Sequence, residues 1–306
     1  HRTLAVLASV ELPRRAPYNS FVTLPDGHLV TKDFGGVLPG ADPAVPAPPP
    51  AELCVLEPTT LAIVDRVSLP EPSVARLSAD GATVYAVGTS ALHRAHWRDG
   101  RLALDPDFAP VYRTQSGQTY GWDAVIALGA AWFLDDGEGT HAYAGSFRGL
   151  GGSTAPLHVV RIDLATGAVT LTEICGRPGG IIANPPVVDE ARRIVVGYDS
   201  GNGLLAAFTV ADDGTCTLRW RHEQNHASHL VLFPDTGELV TADHDPAAFA
   251  ESIVVRDIAS GAERLRVASG SPVQSVLFPA AGFDRDIYYC SFTTVTRVAA
   301  RGGTTA

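Results

Sequence analysis

Residues 184–208, NPPVVDEARRIVVGYDSGNGLLAAF, show the pattern from which this chain is built. A short apolar segment at Val187–Val188 is followed by a polar turn, and a second apolar segment begins at Ile194. A third apolar segment, Leu204–Phe208, follows a glycine-rich turn. Short apolar segments separated by turn residues predict β-strands that are joined as hairpins.

The strand–turn–strand unit recurs six times along the chain. Its first strands are predicted to start near residues 19, 73, 123, 184, 228 and 274, so that the units are 44 to 61 residues apart. Each unit continues into a second hairpin, as at Ala165-Thr166-Gly167 and Ala259-Ser260-Gly261, where glycine provides a positive φ. Four-stranded units that repeat every roughly 40 to 50 residues are typical of β-propellers.

The two ends of the chain suggest how such a ring would close. The last unit has only three predicted strands, the third at Val295–Val298, whereas Thr3–Leu7 and Val10–Leu12 precede the first unit as a spare strand. We therefore predict an all-β fold, a six-bladed β-propeller of four-stranded blades, with the ring closed by the N-terminal strand. Residues 1–306 would form this single domain. A seventh blade is not expected, because residues 34–52 are too rich in proline for a central strand.

Composition excludes several classes of protein. The 306 residues are 45% hydrophobic, which is enough for a full core and excludes global disorder. The net charge of -10 argues against a nucleic-acid partner, since such binding needs clustered basic residues. No apolar run approaches the roughly 18 residues of a membrane helix, so no membrane insertion is expected. The chain starts at His1 and contains no methionine, which leaves both a cytoplasmic and a secreted location open, and the oligomeric state is open as well.

The four cysteines lie far apart in the sequence. No CxxC motif is present, so a zinc knuckle or a thioredoxin-type site is not expected. Free thiols are the expected state, although an even number of cysteines also permits disulfides. The residues are Cys54, Cys175, Cys216 and Cys290.

Two resemblances follow from these repeats. Residues 183–189 and 194–208 resemble the repeat of PQQ-type quinoproteins, but the adjacent cysteine pair used around that cofactor is missing, so PQQ is not expected. With its six repeated units, the chain resembles the SMP-30/gluconolactonase and paraoxonase-like group. That resemblance implies a divalent metal, with calcium expected, in a central channel. The ligands implied by it are Asn19, Asp123 and Asn184, near the starts of three first strands.

Other polar residues are predicted to collect on the face that carries the loops between second and third strands. Those loops are long in three units, at residues 33–52, 135–157 and 243–251. Histidine titrates near neutral pH and suits acid–base chemistry, and four histidines lie between residues 222 and 244. We expect proton transfer by His226, His229 or Asp243, and substrate contacts from Tyr120, Trp122, His244 and Lys32. Ordinary loop histidines that hydrogen-bond a turn remain the alternative.

The segment from His222 to His226 matches H-E-x-x-H formally. That motif needs a helix to place both histidines on one face, and the flanking segments are predicted strands. We therefore expect no zinc-protease site here.

Taken together, the sequence predicts an enzyme that acts on a small-molecule substrate. Metal-assisted hydrolysis of a lactone or ester is the most concrete hypothesis, in which the ion polarises the carbonyl and a histidine or aspartate activates water. A lyase or cyclase, a redox enzyme, and a non-catalytic propeller that binds a ligand or protein remain alternatives.

Overall fold

The fold is described from a computed structural model, which describes residues 5–12, 18–36, 49–135, 154–181, 184–225, 229–274 and 279–299. The chain divides into two compact units. Unit 1 comprises residues 1–151 and 160–169, and unit 2 comprises residues 152–159 and 170–306. Each unit is described separately.

Unit 1 begins with two four-stranded antiparallel sheets whose strands are adjacent in chain order. The first sheet consists of β1 (Tyr18–Thr23), β2 (Leu29–Asp33), β3 (Glu52–Leu56) and β4 (Ile63–Ser68). The second consists of β5 (Ser78–Asp80), β6 (Thr83–Val87), β7 (Leu92–Arg98) and β8 (Arg101–Leu104). A third sheet of the same order contains β9 (Val125–Ala127), β10 (Ala130–Leu134), β11 (His158–Asp163) and β12 (Val169–Glu173), and the boundary between the units runs through its last two strands.

Unit 2 contains two further four-stranded sheets and one of three strands, all antiparallel and in chain order among the described residues. The fourth sheet consists of β13 (Val187–Asp189), β14 (Ile194–Asp199), β15 (Leu204–Val210) and β16 (Cys216–Glu223). The fifth consists of β17 (Val231–Phe233), β18 (Glu238–Asp245), β19 (Ala250–Asp257) and β20 (Glu263–Ala268). The sixth consists of β21 (Ala280–Ala281), β22 (Ile287–Cys290) and β23 (Val295–Val298), with a 3-10 helix at Phe283–Arg285.

The predicted hairpins form for the reasons that the sequence suggests. Asp163 accepts hydrogen bonds from the backbone and side chain of Thr166, and Asp257 accepts the same two bonds from Ser260. The next residue in each turn, Gly167 or Gly261, has a φ of 74°, a conformation that favours glycine. The carboxylate and the glycine together fix where each third strand turns into the fourth.

Apolar side chains hold neighbouring sheets together within each unit. In unit 1, buried residues of the first two sheets form one cluster that contains Val30, Leu53 and Trp97. The Trp97 indole N–H also donates to Asp26 at 2.6 Å. In unit 2, Trp220 packs in the cluster between the fourth and fifth sheets and donates to the Ile258 carbonyl at 2.8 Å. Both tryptophans therefore fix one sheet against the next.

The all-β class and the order of strands in each sheet are confirmed, whereas two details of the sequence-based prediction need correction. Residues 5–12 form no strand, and Val6 and Leu7 are 83% and 94% exposed, so the described part of the N-terminal segment completes no sheet. To form a strand here, the segment would have to pair with a strand near the other end of the chain, and a local apolar pattern does not specify such a distant partner. Closure of a ring stays a prediction.

The second correction concerns residues 243–251, which were expected to form a long loop. Strand β18 continues to Asp245 and β19 resumes at Ala250, so that only four residues connect them. Both strands extend beyond their apolar segments, because the backbone hydrogen bonds that pair two strands do not require apolar side chains.

Three smaller observations complete the fold. Strand β16 contains His222 and Glu223, so this part of the H-E-x-x-H match is a strand, as expected. None of the four cysteines forms a disulfide; Cys54 is buried and the other three are half-buried. In the part of the chain that the structure describes, no helix has the length and hydropathy of a membrane span.

Candidate functional site

Unit 2 contains a cavity of about 490 Å³ where β18 turns into β19. Its polar lining consists of Asn225, Asp243, His244, Asp245, Ser252 and Arg266. This volume lies within the range of small-molecule sites, which also combine a few polar groups in a concave surface.

A histidine and a buried carboxylate lie side by side on the two strands that border this cavity. His244 and Glu251 are directly opposite each other in the β18–β19 ladder, and the imidazole Nδ1 lies 3.2 Å from Oε2 of Glu251. This contact does not have hydrogen-bond geometry, since Nδ1 has no hydrogen-bond partner among the described residues. Successive side chains of a strand point to opposite faces of the sheet, so the His244 and Glu251 side chains lie on the other face from Asp243 and Ser252, and His244 borders the cavity with its backbone.

Hydrogen bonds hold the neighbouring polar groups in place. Oδ1 of Asp243 accepts the backbone N–H of Asn225 at 3.2 Å, and Oδ2 accepts from Arg266 at 2.9 Å. The Asn225 side chain donates to the His244 carbonyl at 2.8 Å. The Arg266 guanidinium is also bound by both carboxylate oxygens of Glu263, at 3.0 and 2.8 Å. These hydrogen bonds therefore fix the polar lining of the cavity.

Of the residues predicted from sequence, Asp243 and His244 come together in this cavity. His229 is half-buried with a φ of 39°, in the left-handed region, and it does not line the cavity. His226 lies outside the described residues. Asn184 is fully buried, and neither polar atom of its amide has a hydrogen-bond partner among the described residues.

In unit 1, Lys32 is fully buried in β2. Its ammonium donates to the Ser73 carbonyl at 2.5 Å and lies 5.3 Å from the centre of the Phe34 ring. Burial lowers the pKa of Lys32 to about 7, although the charges of Asp123 and Asp33 oppose this shift. Such a group can lose its proton near neutral pH.

Asp123 is 5% exposed and contacts Arg76 through both oxygens. Oδ1 accepts the backbone N–H of Arg76 at 2.6 Å, and Oδ2 lies 3.4 Å from the guanidinium. Burial raises the pKa of Asp123, and Oδ2 has no hydrogen-bond partner among the described residues.

The remaining predicted residues of unit 1 occupy different environments. Tyr120 is buried, whereas Trp122 is half-buried and donates its backbone N–H to the Leu134 carbonyl at 2.9 Å. Asn19 lies in β1, and its side chain is outside the described part of the structure.

Three acidic residues at or near the ends of second strands have a structural role. Asp33 accepts the backbone N–H groups of Gly35 and Glu52. Asp199 accepts the backbone N–H of Asn202, just as Asp243 accepts that of Asn225. These carboxylates therefore fix the chain at or near the ends of the second strands, and Asp243 differs in that it also lines the cavity.

Sequence reasoning missed Glu251 and Arg266. Glu251 falls in what was taken for a loop, and only the antiparallel register between β18 and β19 places it opposite His244. The signal available was Pro246, since proline is typical of turns and favours a short hairpin connection over a long loop here.

Within the described ranges, no group of three or more histidine, cysteine, aspartate or glutamate side chains is arranged to hold a metal ion. That search does not include asparagine, and the predicted ligands are mostly asparagines. The metal site of Asn19, Asp123 and Asn184 therefore stays a prediction.

Comparison with known proteins shows the fold. No protein family and no curated protein matches the chain. Among solved structures, BamB from Moraxella catarrhalis is 14% identical with a TM-score of 0.54, and the match covers 92% of this chain and 74% of that one. The periplasmic gluconolactonase of Pseudomonas aeruginosa is 14% identical with a TM-score of 0.54, over 94% and 82% of the two chains. A Bacteroides uniformis protein assigned as a 6-phosphogluconolactonase is 11% identical with a TM-score of 0.53, over 98% and 85%. With its six antiparallel sheets, the chain is similar in fold to these proteins and has the all-β fold of the β-propeller class.

Proposed function

We propose that this protein hydrolyses a small lactone or ester in the cavity of unit 2. The observation that carries the proposal is the cavity of about 490 Å³, in which the Asp243 carboxylate is held by the Arg266 guanidinium at 2.9 Å and by the Asn225 backbone N–H at 3.2 Å. The names of two structurally similar proteins, a gluconolactonase and a 6-phosphogluconolactonase, support a carboxylic ester as the bond that is broken.

The groups of the cavity are sufficient for a balanced reaction. The Asp243 carboxylate accepts a proton from water while the water oxygen attacks the carbonyl carbon and forms a tetrahedral intermediate. When the carbon–oxygen bond to the alcohol breaks, the protonated Asp243 returns the proton to the departing oxygen. N–H groups of Arg266 and Asn225 hold this carboxylate and can stabilise the negative oxygen. The products are a carboxylic acid and an alcohol.

Replacing Asp243 with asparagine tests this proposal. The purified protein is expected to hydrolyse at least one member of a panel of lactones and simple esters, with proton release followed by a pH indicator. In the Asp243→Asn variant, kcat/KM is expected to fall by about 100-fold, because general-base catalysis contributes roughly 100-fold or more. Asparagine keeps an oxygen that can accept the Asn225 backbone N–H, so the strand end is retained while the base is lost.

The matched control is Asp213→Asn. Asp213 also accepts a backbone N–H, that of Thr215 at 2.9 Å, but it does not line the cavity. Its replacement is expected to leave hydrolysis unchanged. Absence of hydrolysis across the panel, or full activity in Asp243→Asn, would show the proposal to be wrong.

The divalent metal remains part of the proposal, with calcium expected. In unit 2, Oδ1 of Asn184 is a buried oxygen without a hydrogen-bond partner among the described residues, and such an atom suits a hard cation. Asn184 would be a ligand of the ion, which when bound would polarise a carbonyl. Elemental analysis before and after EDTA is expected to find about one calcium per chain and a lower melting temperature after its removal. No metal and no change in melting temperature would contradict this part of the proposal.

A further inference from the structure

The cavity of unit 2 has a serine hydroxyl directly beside the proposed base. Ser252 in β19 and Asp243 in β18 are opposite each other in the ladder, and both line the cavity. Residues that are directly opposite in an antiparallel pair have side chains on the same face, with Cβ atoms about 4.5 to 5.5 Å apart. Rotation of the two side chains therefore brings the hydroxyl within hydrogen-bond reach of the carboxylate.

The Ser252 hydroxyl has no structural role among the described residues. The side chain is half-buried, and no described residue forms a hydrogen bond with its oxygen. The two serines that follow β20 differ in this respect: Ser269 donates to the Glu251 carbonyl at 2.9 Å, and Ser271 donates to the Val273 carbonyl at 2.8 Å. Their hydroxyls are held by the backbone, whereas that of Ser252 is available at the cavity.

The Arg266 side chain passes over the same place. In the fifth sheet β19 lies between β18 and β20, so it separates Asp243 from Arg266. The guanidinium nevertheless donates to Oδ2 of Asp243 at 2.9 Å. Arg266 is opposite Val254, two residues from Ser252 on the same face of β19, so its side chain crosses β19 on the face that carries Ser252. The hydroxyl, the carboxylate and the positive charge therefore lie together.

Small side chains leave room beside Ser252. Ala250 lies two residues before it on the same face of β19 and lines the cavity. Ala268 is opposite Ser252 in β20, and its side chain is exposed. Both residues present only a methyl group, so a group attached to the serine oxygen would meet no bulky side chain at these two positions.

We propose that Ser252 is the nucleophile of the reaction and carries the acyl group as a covalent intermediate. The inference rests on the proposed function and adds a step to it. Oγ of Ser252 attacks the ester carbonyl and passes its proton to Asp243, and the bond to the alcohol breaks as Asp243 protonates the departing oxygen. Water then attacks the acyl carbon with Asp243 as base, and the proton returns to Oγ as the carboxylic acid leaves. Arg266 stabilises the negative oxygen in both steps.

An alkyl fluorophosphonate tests the serine directly, since an activated hydroxyl attacks its phosphorus and releases fluoride. Peptide mapping by mass spectrometry is expected to find one phosphonyl group, on Ser252, and none in Ser252→Ala. In Asp243→Asn the rate of labelling is expected to fall by about 100-fold, because the base is lost. Ser68 is the matched control serine: it lies on β4 of unit 1 with an exposed side chain, does not line the cavity and is expected to stay unlabelled.

Product partitioning tests the intermediate during turnover. Esters that share one acyl group and differ in their alcohol are hydrolysed in the presence of methanol, and the ratio of methyl ester to free acid is measured. The same ratio is expected for every alcohol, because each reaction passes through one acyl-serine. In Ser252→Ala, kcat/KM is expected to fall by about 100-fold, and Ser68→Ala is expected to be unchanged.

Full activity in Ser252→Ala, or a product ratio that changes with the alcohol, would overturn the inference and leave direct attack by water in place. If no ester or lactone is hydrolysed, the proposed function fails and labelling alone decides whether the serine is activated. A label on Ser252 that requires Asp243 then supports the nucleophile. Equal labelling of Ser252 and Ser68, or no labelling, rejects it.

Discussion

Replacing Lys32 with methionine is expected to make the folded protein more resistant to urea at pH 7, and this advantage is expected to shrink as the pH rises to 10. Lys32 is fully buried, and the Ser73 carbonyl is its one hydrogen-bond acceptor among the described residues. Methionine has a similar length and no charge to desolvate. Three other sheets have an uncharged residue at the position equivalent to Lys32, directly before the aspartate that ends or nearly ends the second strand. These residues are Leu134, Tyr198 and Ala242, which precede Asp135, Asp199 and Asp243.

The direction of the pH dependence follows from proton linkage. The pKa of Lys32 is about 7 in the folded protein and 10.5 in the unfolded chain. Below pH 7 both states are protonated, so the full cost of the buried charge is present. Between pH 7 and 10.5 the unfolded chain binds more protons, and a rise in pH therefore stabilises the folded state. The difference in unfolding free energy between variant and wild type is expected to be on the order of 3 kcal/mol larger at pH 7 than at pH 10.

Urea unfolding of both proteins across this pH range measures the difference directly. Tyrosines and cysteines also titrate between pH 7 and 10, but both proteins share them, so the comparison isolates Lys32. Because Lys32 is the only lysine in the chain, isotopic labelling of lysine gives a single side-chain NMR signal whose titration reports its pKa. If the unfolding free energies of the two proteins change equally with pH, or if the lysine signal titrates near 10.5, the prediction is contradicted.

The sheets could be predicted from sequence because the information that specifies them is local. Alternating apolar segments and turns such as Ala165-Thr166-Gly167 determine each hairpin without reference to the rest of the chain. The N-terminal segment was less predictable, since its apolar pattern permits a strand but does not supply the edge with which that strand would pair. Accordingly, Val6 and Leu7 are exposed in the described structure.

The candidate site could be predicted only in part. Asp243 and His244 were identified because histidines and carboxylates are concentrated in one unit, but Glu251 depends on the register of two strands, which a polar sequence does not reveal. Asp33 and Asp199 match the composition of a functional face, yet their hydrogen bonds to backbone N–H groups give them a structural role. A carboxylate at a strand end satisfies the backbone in the same way whether or not a ligand is bound.

Replacing Glu71 with alanine is expected to destabilise the protein by about 4 kcal/mol, because several buried donors would lose a charged acceptor. One carboxylate oxygen accepts from Thr89 at 2.7 Å and Ser90 at 2.6 Å, and the other accepts from the Ala91 backbone at 3.0 Å and from His93 at 2.8 Å. These bonds join the segment after β4 to the turn between β6 and β7. The packing is so close that a Cβ at residue 88 would lie 2.2 Å from the carboxylate, which explains the glycine there.

Glutamine at position 71 separates the loss of charge from the loss of contacts. It keeps an acceptor for Ala91 and His93, while the hydroxyls of Thr89 and Ser90 can rotate to accept from its amide, so Glu71→Gln is expected to cost about 1 to 2 kcal/mol. Urea unfolding at pH 7 measures both variants. Glu57→Ala is the matched control, since that carboxylate accepts similar bonds from Thr59 and Thr60 on the surface, and little change is expected.

Acid unfolding gives an independent check on Glu71. Burial opposes its ionisation, but hydrogen bonds from His93, Ser90 and Thr89 outweigh burial and lower its pKa from 4.5 to about 2. Stability from this group is therefore present above pH 4.5 and is lost as the pH falls towards 2. The Glu71→Gln variant has no proton to bind at this position and is expected to lose less stability than the wild type between pH 5 and 2. Equal losses in the two proteins, or a Glu71→Ala variant as stable as Glu57→Ala, would show that the carboxylate does not hold these segments together.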